Sequence, residues 1–284
     1  MSYFTNLFVF LLSLSAIAGQ PKTVPYYGEE FYQQLNTGLR GDELKVQLKA
    51  IMQGQHIRQD GQFDEITNNC AGVKGCYSQT NLGYDQARII LMGRIHLTQT
   101  GKGYAVKDVY CQKEFTADDF PSGKTVGPDQ VPDDRVINIE HTWPQSRFTG
   151  RYEKGLQKAD MHHLFPSDSK VNGIRGNFEF GEVSQDKMKI KCPISRFGTG
   201  SAGTKLIFEP PSEHRGNVAR ALFYFSLRYD IQISPEEEIV LRKWNREDQI
   251  DLDEHDRNDK IFRLQGNRNP FIDHNELVDL VSDF

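Results

Sequence analysis

The segment from Val136 to Glu182 limits the fold most, because two short extended runs and a helix-forming stretch follow one another within it. Val136 to Glu140 is an extended run bounded by turn-forming residues, and a Pro-containing turn comes next. His162 to Phe165 is a second extended piece, and Ser167 can cap a helix that begins at Asp168. The segment therefore predicts a strand, strand and helix unit.

The same segment concentrates side chains that bind cations and move protons. Glu140 and Asn172 are oxygen donors, and Mg²⁺ accepts one or two protein ligands while it keeps several waters; Mn²⁺ or Ca²⁺ can stand in its place. His141 has an imidazole whose ordinary pKa lies close to neutrality, so it can take a proton from an attacking water. Arg175 follows Asn172 by three positions, so the two share a helix face that suits a phosphate.

Several separated motifs, in this order, resemble the bacterial endonuclease I family, whose members are periplasmic or secreted ββα-metal (His-Me finger) nucleases. The motifs are the Glu140-His141 pair, Asp160 to Pro166, Val171 to Phe178, Phe208 to Pro210, Arg215 to Arg220 and Leu264 to Phe271. The resemblance implies that His141 is the general base and that Glu140 and Asn172 bind Mg²⁺. It also implies cleavage of DNA, and often RNA, that leaves 5'-phosphate and 3'-hydroxyl ends.

The resemblance leaves the roles of other polar residues open. Asp160, His162 and His163 are candidates to orient the metal ligands or the base, although a buried imidazole also serves simply to hydrogen-bond the backbone. Only a short link joins Phe148 to Asp160, where some members carry an insertion with a phosphate-contacting arginine. Arg175 is the candidate catalytic arginine, and the candidate phosphate contacts are Arg147, Arg151 and Arg215.

The amino terminus has the pattern of a secretory signal peptide. An apolar run from Leu7 to Leu14 precedes small residues that end at Ala18, which predicts a signal peptide over residues 1–18. A membrane anchor is the alternative, but it needs roughly 20 apolar residues. The expected mature protein is one nuclease domain over residues 19–284, secreted or periplasmic, with no membrane partner.

Four cysteines fit an oxidising compartment, because an even count in an exported chain predicts disulfides. Three pairings are possible, and the short Gly-containing loop between Cys70 and Cys76 favours that bridge together with Cys111 to Cys192. A zinc site is the rival interpretation, but the sequence has no C-x-x-C pair.

The periodicity outside the central segment is mainly helical. Apolar residues at 44, 48, 51 and 52 predict a helix with one buried face, and Asn217 to Tyr229 predicts a central helix. Ser234 caps a helix that buries Ile239 or Val240 and Trp244, and a last helix ends near Gln265. We expect an α+β domain, predominantly helical, with a small antiparallel sheet, a ββα-metal core at about 136–182 and a helical part at about 215–275.

The predicted function is hydrolysis of phosphodiester bonds in DNA, and also RNA, by a monomer. A net charge of -5 argues mildly against a wide basic face, but it allows a small, locally basic cleft. Two rivals stay open at this point. One is a phosphodiesterase that acts on small molecules, and the other is an extracellular protein that binds nucleic acid without turnover.

Overall fold

The strand, strand and helix unit lies at the centre of a mixed α/β domain. The computed structural model describes residues 23–121, 123–201 and 203–284, so the predicted signal peptide at residues 1–18 lies outside the described chain. The α-helices of the described chain are α1 (Glu29–Asn36), α2 (Gly41–Gln53), α3 (Tyr84–Ile90), α4 (Lys154–Ala159), α5 (Ser169–Arg175), α6 (Ser212–Tyr229), α7 (Pro235–Glu247), α8 (Leu252–Gln265), α9 (Pro270–Asp273) and α10 (Leu277–Leu280). Its strands are β1 (Gln55–Ile57), β2 (Glu65–Thr67), β3 (Cys76–Tyr77), β4 (Leu97–Thr100), β5 (Gly103–Lys107), β6 (Glu114–Thr116), β7 (Ile137–His141), β8 (Leu164–Asp168), β9 (Glu179–Phe180), β10 (Gln185–Met188), β11 (Arg196–Thr199) and β12 (Leu206–Glu209).

Strands β7 and β8 form an antiparallel pair, and α5 follows β8 directly. The predicted strand at 162–165 is displaced, because His162 and His163 belong to a 3-10 turn in which the His162 amide donates to the Asp160 carboxylate. The predicted cap at Ser167 is also wrong by one residue. The Asp168 carboxylate accepts two backbone N–H groups at the start of α5 and is therefore its N-cap.

Helix α6 is the centre of the larger hydrophobic core, as the sequence predicts. Every residue from 218 to 229 is buried, because α2, α7 and α9 pack around this helix. The predicted face of α2 is confirmed, since residues 44, 48, 51 and 52 are all buried. Helix α7 begins after Ser234, whose hydroxyl accepts the Glu237 amide, but it buries Leu241 beside Trp244 and leaves Ile239 71% exposed.

The strands form several small sheets where the sequence predicts one antiparallel sheet. The described strands make four sheets, with the orders β2-β1-β3, β4-β5-β6, β7-β8 and β10-β11-β12-β9. In the last of these, β9 runs parallel to β12, while the other pairs are antiparallel. Two short helices, α9 and α10, follow α8, so the helix that ends at Gln265 is not the last one.

Residues 108–111 form a turn, although the residue pattern from Asp108 to Cys111 predicts an extended run bounded by turn-forming residues. The buried Asp108 carboxylate accepts the backbone amides of Tyr110, Cys111, Lys113 and Asp168, at 2.9 to 3.2 Å. This side chain therefore closes the turn onto itself and ties it to β8. The Val109 amide adds a bond to the carbonyl of Pro166.

The expected cysteine pairing is confirmed. Cys70 is bonded to Cys76, and Cys111 is bonded to Cys192. The second bridge closes a long stretch of chain, with a sequence separation of 81, and joins the Asp108 turn to the segment before β11. Within the described chain, no helix is both long enough and apolar enough to cross a bilayer.

Candidate active site

An open cleft lies where β7 ends, between the turn after it and α5. The cleft has a volume of about 460 Å³. Four of the residues singled out in the sequence line it, namely Glu140, His141, Asn172 and Arg175. The antiparallel register explains part of this arrangement. Helix α5 starts at the end of β8 that pairs with the beginning of β7, and it packs against β7.

His141 is held as a neutral imidazole with one free acceptor nitrogen. Its Nε2 lies 3.1 Å from the carbonyl oxygen of Lys158, and because a carbonyl only accepts, Nε2 carries the hydrogen. The other nitrogen, Nδ1, is then an acceptor, with Nε2 of Gln145 at 3.4 Å. Burial, and next the charge of His163, lower the pKa of His141 to about 3. The ring is therefore unprotonated at neutral pH, and Nδ1 keeps its lone pair.

Glu140 is a buried carboxylate with two donors on the same oxygen. The Tyr110 hydroxyl donates to Oε1 at 2.9 Å, and Nη1 of Arg175 lies 2.8 Å from that atom. Burial raises the pKa of Glu140, whereas the Arg175 charge and the Tyr110 hydrogen bond oppose the rise. Because both contacts use Oε1, the second oxygen, Oε2, is the one available for a cation.

Arg175 is a buried side chain that connects several groups of the site, and it is not an exposed cation. Its side chain is 1% exposed, and its guanidinium donates to the carbonyls of His141 at 3.0 Å and Thr142 at 2.6 Å. The guanidinium also lies over the Phe180 ring, at 4.4 Å from the centroid. A single side chain therefore holds Glu140, the backbone of His141 and the turn that follows.

Asn172 presents its carboxamide to the cleft in a fixed orientation. Its Nδ2 donates to Oδ1 of Asn138 at 2.8 Å, which leaves Oδ1 of Asn172 as the free oxygen. Asn138 precedes Glu140 by two positions on β7, so the two side chains lie on the same face of the strand.

The remaining candidates behind the cleft differ in their distance from it. His163 packs edge-on against His141, with ring centroids 5.4 Å apart, and its Nε2 lies 3.0 Å from the Gln157 carbonyl. His162 instead packs on Tyr224 and contacts the Asn267 carbonyl. The buried Asp160 carboxylate accepts bonds from both Tyr224 and Tyr229 at 2.7 Å, so it ties the 3-10 turn to α6.

The three candidate phosphate contacts do not line the cleft, and each forms an ion pair with a carboxylate. Arg147 lies 3.4 Å from Glu237, and Arg151 lies 2.6 Å from Asp230. Arg215 pairs with Glu209 and lies over the Trp244 ring, at 5.4 Å from the centroid. Arg175 lines the cleft, whereas these three arginines do not.

In the described residues, no group of three or more His, Cys, Asp or Glu side chains is placed to hold a metal ion. The donor set of the cleft is instead one carboxylate and one carboxamide, both offering oxygen.

Comparison with known protein families matches residues 41–276 to the family described as Endonuclease I. The chain belongs to the endonuclease I family. The match covers most of the chain, including β7, β8 and α5, and so includes every side chain that lines the cleft.

Relatives of this endonuclease I family chain carry nuclease names. It is 34% identical over 160 residues to an extracellular ribonuclease of Bacillus subtilis (strain 168), covering 50% of this chain and 52% of the relative. It is 33% identical over 122 residues to an extracellular deoxyribonuclease of Aeromonas hydrophila, covering 43% and 51%. An endonuclease-1 of Buchnera aphidicola subsp. Acyrthosiphon pisum (strain APS) is 26% identical over 206 residues, covering 66% and 79%. The chain thus spans about half the length of the first two relatives.

Three residues of the site were missed by sequence reasoning: Tyr110, Asn138 and Gln145. Asn138 had a usable signal, because it stands two positions before Glu140 on a predicted strand. Tyr110 had none, since it reaches Glu140 from 30 positions away through a turn that the sequence presents as extended.

Removing the Arg175 charge is expected to destabilise the protein strongly. The variant Arg175→Gln leaves the buried Glu140 carboxylate without its ion-pair partner, and such changes typically cost about 3–5 kcal/mol of unfolding free energy. Arg151→Gln is the matched control, because the side chain of Arg151 is 66% exposed and the expected change is below about 0.5 kcal/mol. Urea unfolding measures both, and equal small losses would show that Arg175 is not the tie described here.

Proposed function

We propose that this endonuclease I family chain is a secreted nuclease that hydrolyses phosphodiester bonds of DNA and RNA by metal-assisted attack of water. The observation that carries the proposal is the state of His141. Its Nε2 is committed to the Lys158 carbonyl, while Nδ1 remains an acceptor in a cleft that Glu140 and Asn172 also line. Relatives named extracellular ribonuclease and extracellular deoxyribonuclease support nucleic acid as the substrate class.

The donor atoms of the cleft fit a hard divalent cation. Oε2 of Glu140 and Oδ1 of Asn172 are the candidate oxygen ligands. Tyr110 and Arg175 contact the other carboxylate oxygen of Glu140, and Asn138 accepts a hydrogen bond from Nδ2 of Asn172. Mg²⁺ accepts such a small protein ligand set and fills the rest of its shell with water, and Mn²⁺ or Ca²⁺ suit the same atoms. In this proposal β7, β8 and α5 are the ββα-metal core.

His141 acts as the general base. Its neutral ring takes a proton from a water at Nδ1, and that water attacks phosphorus in line with the 3'-oxygen that leaves. Glu140 and Asn172 would hold a divalent cation, which would supply charge that stabilises the phosphate and the departing oxygen. The departing 3'-oxygen takes a proton from solvent water, so this direction of attack leaves a 5'-phosphate and a 3'-hydroxyl.

The other residues position these groups. Arg175 holds the carbonyl of His141 and the carboxylate of Glu140 together, so we assign it to the geometry of the site and not to phosphate binding. His163 supports one side of the His141 ring. The proposed chemistry acts on the phosphate group, which carries no sequence information. We therefore expect cleavage with little regard for nucleotide sequence.

An oxidising compartment outside the cytoplasm suits the protein. Two disulfides are present, and disulfides persist in secreted and periplasmic proteins. Relatives named extracellular and periplasmic deoxyribonuclease agree with this location.

Loss of the base is expected to remove cleavage without loss of the fold. His141→Ala should lower the rate of plasmid nicking in Mg²⁺ by about 10²–10⁴-fold, the usual contribution of a general base. His255→Ala is the control, because His255 lies on α8 outside the cleft and should nick plasmid at the unmodified rate. A chromogenic phosphodiester assayed in parallel tests the small-molecule alternative. If His141→Ala nicks plasmid at the unmodified rate, His141 is not the general base.

Tyr110 is expected to set the affinity for the cation through Glu140. Tyr110→Phe removes the hydroxyl that fixes Oε1, and loss of such a supporting hydrogen bond typically weakens metal binding about 10–100-fold. Tyr27→Phe is a matched control, since Tyr27 is also buried and its hydroxyl donates to the Asp273 carboxylate at 2.6 Å, outside the cleft. Calorimetric titration with Mn²⁺ compares the two. If both variants bind Mn²⁺ as tightly as the unmodified protein, Tyr110 does not position the ligand.

A further inference from the structure

A row of three lysines lies on the exposed side of an edge strand and its continuation. Lys187, Lys189 and Lys191 are all exposed, whereas Ile190 and Cys192, which alternate with them, are each only 5% exposed. The three exposed lysines are called here the lysine row; Lys187 lies at a bulge of β10 beside Met188, which is 47% exposed. Strand β10 has a neighbour on one side only, because the order of its sheet is β10-β11-β12-β9.

The lysine row carries positive charge that no carboxylate neutralises within the described chain, where none of its members forms an ion pair. The one acidic residue of β10, Asp186, is already paired with Arg196 at 3.0 Å. A second cluster of equal density, at 242–246, behaves differently. Each of its cations has a carboxylate partner, in the pairs Arg242 with Glu238, Lys243 with Glu182 and Arg246 with Asp279.

The cleft itself offers little free positive charge to a polyanion. Its lining arginine, Arg175, is buried against Glu140, and Arg147, Arg151 and Arg215 are each paired with a carboxylate. The whole chain has a net charge of -5. Attraction of a nucleic acid therefore requires a local basic surface beside the cleft.

Two connections join the segment that carries the lysine row to residues of the cleft. At one end, Met188 pairs with Phe197 across the sheet, and the Phe197 ring packs on Phe178 with centroids 4.9 Å apart. Phe178 directly follows Asn177, which lines the cleft. At the other end, the disulfide of Cys192 joins the segment to the turn that carries Tyr110, the hydroxyl partner of Glu140.

We propose that the lysine row binds the phosphate backbone of the nucleic acid on the Asn177 side of the cleft. Each ammonium group can neutralise a backbone phosphate of a bound nucleic acid and release its counterion. Contacts of this kind neutralise phosphates without reading bases. The inference rests on the proposed nuclease function, and it explains how an acidic protein holds a polyanionic substrate. Protection of an edge strand from aggregation is the competing role of such lysines.

The test is the salt dependence of DNA binding. The triple variant Lys187→Gln, Lys189→Gln, Lys191→Gln is compared with Lys74→Gln, Lys102→Gln, Lys107→Gln, whose lysines are also exposed and lie outside the cleft lining. Both sets are made on the His141→Ala background, and the dissociation constant of a labelled duplex is measured between 50 and 200 mM salt. Each phosphate contact contributes about 0.9 to the slope of log affinity against log salt. The lysine-row variant should lose about 2 to 3 from the slope, and the control variant should lose nothing.

A single variant, Lys189→Gln, should lose about 0.9 from that slope and serves if the triple variant does not fold. Equal slopes in the lysine-row and control variants would overturn the inference. The unmodified protein separates this failure from a failure of the proposed function. If it nicks plasmid while the lysine-row variant keeps its slope, only the inference is wrong; if it neither binds nor nicks DNA, the proposed function is wrong.

Discussion

The buried ion pair between Glu140 and Arg175 is the interaction on which the cleft depends. A buried carboxylate is costly unless its charge is met by good geometry, and here a guanidinium at 2.8 Å and a tyrosine hydroxyl at 2.9 Å meet it. The same guanidinium holds the carbonyls of His141 and Thr142. One side chain thus contacts a carboxylate, the backbone of His141 and the chain after β7.

Residues from distant parts of the fold support the groups that contact this ion pair. Tyr110 reaches Glu140 from a turn closed by the Asp108 carboxylate, and Ser195 donates to the Tyr110 carbonyl at 2.7 Å. The disulfide of the adjacent Cys111 ties that turn to the segment before β11. Behind His141, the His163 ring packs on Phe225 of the central helix, with centroids 4.4 Å apart. The core of the domain therefore restricts the motion of the groups that line the cleft.

Local pattern predicted several helices that contribute to the larger hydrophobic core. Helices α2 and α6 follow from apolar periodicity, and α7 follows from the Ser234 cap with Pro235 behind it. The exposure of Ile239 was not predictable, because the direction of the buried face of α7 depends on how that helix packs on α6.

The site was predictable where its residues lie on one local unit and unpredictable where they meet across the fold. Glu140, His141 and Asn172 belong to a strand and helix that are close in sequence, and the resemblance to the endonuclease I family named them. The carboxylate partners of Arg147 and Arg151 could not be predicted from the sequence. Arg147 meets a carboxylate 90 positions away and Arg151 meets one 79 positions away, so pairing that depends on tertiary packing leaves no periodic signal.

In the proposed mechanism, Glu140 and Asn172 bind one divalent cation beside His141. Crystals of the His141→Ala variant soaked in Mn²⁺, with data collected at the manganese absorption edge, test it directly. One strong anomalous peak is expected in the cleft, in contact with the carboxylate of Glu140 and the carboxamide oxygen of Asn172. A peak bound by other side chains, or an empty cleft at saturating Mn²⁺, would contradict it.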